Sequence, residues 1–149
     1  MASEPREVFG DLATTAFVES CVLFRSLDPA ERQDLVRLAR VVSFTGGEMV
    51  SPAGDDGFFM VLDGSMAALV ERGGASVEVA VLERGAVFGE GRVLGAGVPA
   101  ALAGRSDGAA VVVPAPMVAA LAGRHPKIQK FLDAVRGARE REAATKLAG

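Results

Sequence analysis

Apolar positions change period twice along the chain. Residues 5 to 40 read as helical: Val8, Leu12, Ala16 and the run from Val18 to Leu23 make one face, and Leu35, Leu38 and Ala39 continue a second stripe. Between them, Asp28-Pro29-Ala30-Glu31 places a capping aspartate before a proline at the first helical position. From residue 41 the period shortens. VVSF, GFFMVLDG, SMAALVE, SVEVAVLE, PAALAG and GAAVVVP are short β-type runs punctuated by Gly, Asp and Pro. After Pro114 the helical spacing returns in Met117, Val118 and Leu121, and then in Ile128, Phe131, Leu132 and Val135. The pattern predicts an α+β chain, mainly β, in which a roll or barrel of short strands is flanked by helices.

Composition narrows what such a chain can do. It has 149 residues, half of them apolar, enough for one domain with a real core. Its 18 glycines fall between strands without a repeating period and act as turn residues. A net charge of −3 lacks the basic excess that direct DNA or RNA binding requires. The N-terminus has no basic start leading into an apolar run, and no apolar stretch approaches a membrane span, so a cytoplasmic protein without membrane contact is expected. Cys21 is the single cysteine and His125 the single histidine, which leaves no intramolecular disulfide and argues against a metal or haem site. No nucleophile–base grouping, nucleophile elbow or Gly-Lys-Ser/Thr phosphate loop occurs, so neither catalysis nor a cofactor is expected.

Two stretches carry a more specific signal. Thr45 to Val70, TGGEMVSPAGDDGFFMVLDGSMAALV, sets Gly47-Glu48, Gly54-Asp55 and Asp63-Gly64 turns between apolar strands, with Phe58-Phe59 in one of them. Leu82 to Gly95, LERGAVFGEGRVLG, reads as a strand, a tight turn and then Phe88-Gly89-Glu90. In this order the two stretches resemble the cyclic-nucleotide-binding domain family, over roughly Leu23 to Val135. The resemblance implies an eight-stranded jelly-roll β-barrel flanked by N-terminal helices and a C-terminal helix. It divides the chain into an N-terminal helical segment (1–22), the domain (23–135) and a helix end or tail (136–149). It also implies a bacterial signalling or regulatory role.

In that family the second stretch is the phosphate-binding cassette, a short helical turn whose first backbone N–H groups face a cyclic phosphate. The resemblance assigns Gly89 to close backbone approach and Glu90 to the ribose hydroxyl, and it counts Gly91 among the ligand-binding residues. It places a phosphate-pairing arginine and a hydroxyl residue where this sequence has Ala100 and Ala101. Pro99 also lies one residue later than in many relatives. Losing one partner of a buried charge pair costs about 2–5 kcal/mol, about thirtyfold to several thousandfold in affinity. Arg92, two positions after Glu90, is the cation that could reach the anion site or else point into water. The bland reading of Glu90 is a loop-bracing carboxylate. For Phe58 and Phe59 it is core packing on opposite faces of a strand, and for His125 a helix stop.

Three functional readings follow. The first is a non-catalytic regulatory or adaptor module that does not bind a cyclic mononucleotide in the usual way and acts on a protein partner. A homodimer could form through Phe131, Leu132, Val135 and Ala138. The second is a sensor that binds a cyclic mononucleotide, a cyclic dinucleotide or another anion through Gly89, Glu90 and Arg92. The third is a DNA-linked regulator, which in this family carries a helix-turn-helix domain after the C-terminal helix. With the chain ending at Gly149, and acidic, no such domain is expected.

Overall fold

A computed structural model describes residues 6–8, 24–95 and 99–148. The apolar stripe of residues 9 to 23, with Cys21, lies outside the described residues.

The strands form two antiparallel sheets stacked as a jelly roll. The first contains β1 (Arg6–Val8), β2 (Arg40–Phe44), β9 (Gly108–Pro114), β4 (Gly57–Asp63) and β7 (Val87–Phe88), side by side in that order. The second contains β3 (Met49–Ser51), β8 (Ala101–Gly104), β5 (Met66–Arg72) and β6 (Ala75–Leu82). Eight of these strands are those expected of the barrel. The ninth, β1, corrects the reading of residues 5 to 40 as helical throughout. It pairs with β2 and covers what would otherwise be an open row of N–H and C=O groups at that sheet edge.

Alternation along the first sheet explains its near-continuous apolar runs. Phe58, Met60, Val111 and Val113 face one core, shared with the helices, whereas Phe59, Val61, Ala110 and Val112 face a second core between the sheets. Both faces of this sheet are therefore buried, and GFFMV and AAVVVP have no polar alternates. The second sheet turns Met66, Ala68 and Val70 inward onto the same inter-sheet core.

Among the described residues, four helices complete the fold. The first, α1 (Pro29–Leu38), starts as its sequence predicts: the Asp28 carboxylate accepts from the Glu31 amide at 2.9 Å, and Glu31 accepts from the Asp28 amide at 3.2 Å. The second, α2 (Glu90–Leu94), is the five-residue turn of the cassette. The third, α3 (Ala115–Arg124), ends at His125, whose amide closes onto the Leu121 carbonyl. The fourth, α4 (Pro126–Ala148), runs unbroken across the expected boundary at 135/136. Its first half sinks Ile128 and Leu132 into the helix-side core, and its second half lies on β6 with Ala143 buried in the inter-sheet core. Leu132 is fully buried within its own chain, and Phe131 and Val135 pack partly against the same core. Of the four residues considered for a dimer seam, only Ala138 is exposed.

Candidate functional site

The turn between β7 and α2 demands a glycine. Gly89 has φ +116°, and a Cβ there would come within 2.8 Å of the Gly57 carbonyl oxygen and 3.0 Å of the Phe58 Cα. This contact sets the cassette directly against β4. Its amide donates to Glu90 Oε2 at 2.9 Å, and Glu90 is 5% exposed. The buried carboxylate is thus anchored to the turn that carries it.

Arg92 does not point into water but folds back onto the protein. Its guanidinium folds under the cassette and binds the loop between β3 and β4. Nη1 donates to Ser51 Oγ at 2.7 Å and to the Gly57 carbonyl at 3.0 Å, and Nη2 donates to the carbonyls of Pro52 at 3.1 Å and Ala100 at 3.2 Å. Its Cζ lies 5.2 Å from the Phe88 ring centroid. Ser51 completes the network by donating to Asp55 at 2.7 Å. Burial pulls the Arg92 pKa below the ordinary arginine value, while Asp55, Asp56 and Glu90 favour its charge. Arginine's intrinsic basicity is high enough to keep it cationic. Arg92 is therefore a clamp that joins the cassette, the β3–β4 loop and Ala100.

A cavity of about 320 Å³ opens beside this clamp. Ala68 and Val70 of β5, Val79 and Ala80 of β6, and Phe88 give it an apolar wall. Gly89, Glu90, Gly91, Arg92 and Ala100 all border it, so the structure brings together five of the six residues singled out from sequence. Ala101 begins β8, is half-buried and does not border the cavity.

A further wall comes from the second half of α4, within the segment read from sequence as a helix end or tail. Arg136, Arg139, Glu140 and Ala143 all face the cavity. Arg139 Nη2 donates to the Val87 carbonyl at 3.1 Å, and its Nη1 stands 4.0 Å from Glu90 Oε1. Arg136 Nη1 lies 3.7 Å from Glu140 Oε1. The signal that could have found these residues is the spacing of Arg136, Arg139, Ala143 and Leu147. They form one stripe three to four residues apart on a single helix face.

His125 and two charged residues of the β8–β9 turn, Arg105 and Asp107, lie away from the cavity. His125 sits at the α3–α4 elbow, where Nε2 is 2.8 Å from Glu31 Oε1. Arg105 pairs with Glu78 at the surface, at 3.2 Å, and Asp107 caps the turn at Gly46. Among the described residues no group of three or more His, Cys, Asp or Glu is placed to hold a metal ion, and no helix is long and apolar enough to cross a membrane.

No family model matches the sequence, and no curated protein matches it. Solved structures do. The regulatory domain of Toxoplasma gondii PKA, solved with cAMP, superposes with a TM-score of 0.69 at 21% identity, covering 86% of this chain and 50% of that one. The fold is that of a cyclic-nucleotide-binding domain. The Thermus thermophilus catabolite activator protein gives a TM-score of 0.62 at 25% identity, over 85% of this chain and 61% of that chain. The regulatory subunit of a cAMP-independent protein kinase A from Trypanosoma brucei, in a triple mutant bound to cAMP, gives 0.60 at 15% identity, over 84% and 53%. The chain thus spans half to three fifths of the length of these three proteins.

Proposed function

We propose that the chain is a non-catalytic, cytoplasmic regulatory module of cyclic-nucleotide-binding fold that does not hold a cyclic mononucleotide in the family's usual way and acts on a protein partner. One observation carries this reading. Ala100 stands where the phosphate-pairing arginine is expected, and Arg92, the nearby cation, has four N–H bonds directed at Ser51, Gly57, Pro52 and Ala100. The cassette therefore offers no free guanidinium to a phosphate. The fold's presence in a regulatory subunit of a cAMP-independent kinase supports a regulatory use of this kind. The regulatory nature of the structural neighbours supports a non-catalytic role. Self-association through α4 would rest on Ala138 and the outward sides of Phe131 and Val135, since Leu132 is internal.

Isothermal calorimetry with cyclic AMP and cyclic GMP tests the proposal. The wild-type chain is expected to give no binding heat at millimolar nucleotide, and A100R combined with A101S is expected to gain at least about thirtyfold in affinity. Wild-type binding as tight as that of the double variant would overturn the reading.

The cavity itself favours a second reading, that of a sensor for another ligand. Its volume of about 320 Å³ lies within the range of small-molecule sites.

A further inference from the structure

We infer that the cavity binds a small monocarboxylate with an apolar body, and that the carboxylate is held from α4, by Arg136 and Arg139, instead of from the cassette. The inference rests on the second reading above, that the cavity is a ligand site.

The two arginines lie three residues apart, so both guanidinium groups come off one face of α4, and both border the cavity. Each has a buried N–H that the fold leaves without a hydrogen-bond acceptor: Nε of Arg136 and Nη1 of Arg139. Buried donors are nearly always paired, and a charged donor left open is a standing cost to the fold. The neighbouring carboxylates do not fill the need. Glu140 Oε1 is 3.7 Å from Arg136 and Glu90 Oε1 is 4.0 Å from Arg139, both beyond the 2.7–2.9 Å of a charge-assisted hydrogen bond. Glu90 is also engaged through Oε2 by the Gly89 amide. Both guanidinium groups are thus only loosely paired, and each is partly exposed where it borders the cavity, within reach of a ligand's carboxylate.

The rest of the wall sets the class of ligand. Ala68, Val70, Val79, Ala80, Phe88 and Ala143 offer only apolar contact, which calls for a hydrocarbon or aromatic body of one or two rings in about 320 Å³. The ionised groups around the cavity balance, Arg92, Arg136 and Arg139 against Asp55, Glu90 and Glu140. Every negative charge that a ligand adds is therefore uncompensated, so a monoanion is opposed less than a dianion. A planar carboxylate also suits the forked donors of arginine.

The test measures binding of 1-naphthoate, its neutral analogue 1-naphthalenemethanol and the dianion 1-naphthyl phosphate to the full chain by calorimetry. The expected order is naphthoate at least about tenfold tighter than either of the other two. R136Q combined with R139Q is expected to remove that advantage while leaving naphthalenemethanol unchanged, so the alcohol also reports an intact cavity. The comparison of probes in the wild-type protein stands even if the double variant does not fold. Naphthoate and the alcohol binding equally would overturn the inference while leaving the cavity a ligand site. Tighter binding of the phosphate would overturn the carboxylate assignment, and binding of none of the three would remove the sensor reading itself.

Discussion

At the scale of single residues, Arg92 shows where a motif stops being informative. Its partners Ser51, Pro52 and Gly57 lie 41, 40 and 35 positions earlier in the chain, so no local pattern could have indicated them. Gly89 and Glu90 were legible because their roles come from the turn they sit in. Ala100 was legible as a missing cation for the same reason, whereas the clamp that holds its carbonyl depends on tertiary approach. Arg92→Ala would leave the fully buried Ser51 and three carbonyls short of a donor, and is expected to lower stability by about 2–4 kcal/mol in urea unfolding. Arg92→Lys is expected to recover less than half of that loss, because an ammonium cannot reproduce four bonds from a planar fork. Full recovery by lysine would mean that charge, and not geometry, holds the clamp. Gly89→Ala would combine a strained positive φ with the contact to the Gly57 carbonyl, and is expected to cost at least about 2 kcal/mol in the same measurement.

At the scale of elements, the sequence marked the strands well because Gly and Asp turns separate runs too short to be helices. It marked α1 equally well through Asp28, Pro29 and Glu31. It did not mark β1, whose three residues carry no alternation long enough to read. Nor did it anticipate that Glu31 has a second task. Beyond its backbone bond to Asp28, its carboxylate meets His125 Nε2 at 2.8 and 3.0 Å and Arg124 at 3.3 Å, clipping the start of α1 to the α3–α4 elbow. The His125 hydrogen bond is the main cause that holds the Glu31 pKa below the ordinary carboxylate value, burial acting in the opposite direction. A carboxyl with a depressed native pKa stabilises the fold above its unfolded value, about 4.3, and that contribution fades as pH falls through the native value. Glu31→Gln is therefore expected to be less stable than wild type at pH 7, with the two melting temperatures converging below about pH 4. A gap that persists unchanged into acid would assign the difference to packing instead of charge.

At the scale of the whole molecule, α4 joins the two cores and closes the cavity with its second half. That half reads from sequence as a helix end or tail because RGAREREAATK is mostly charged and its alanines are weak apolar marks. The helix has a built-in division. Ile128 and Leu132 fix the first half in the helix-side core, Gly137 then weakens the middle by about 1 kcal/mol relative to alanine, and Ala143 docks the second half on β6. Such an arrangement should open in parts, since segments with few buried contacts exchange amide hydrogens at a lower free energy than the core. Ala143→Lys would replace a buried methyl with a long cationic side chain against Val79, Ala80 and Phe88, beside the cations Arg136 and Arg139, and so undock the helix from β6. In native-state hydrogen exchange, amides from residues 138 to 148 are expected to lose protection by about tenfold or more, while those of β4, β9 and the Ile128–Leu132 turn keep theirs. If protection fell equally across all of these, α4 and the barrel would form one cooperative unit, and the cavity could open only when the domain unfolds. A selective loss would instead make the second half of α4 a separable lid, through which a ligand enters the cavity without unfolding of the barrel.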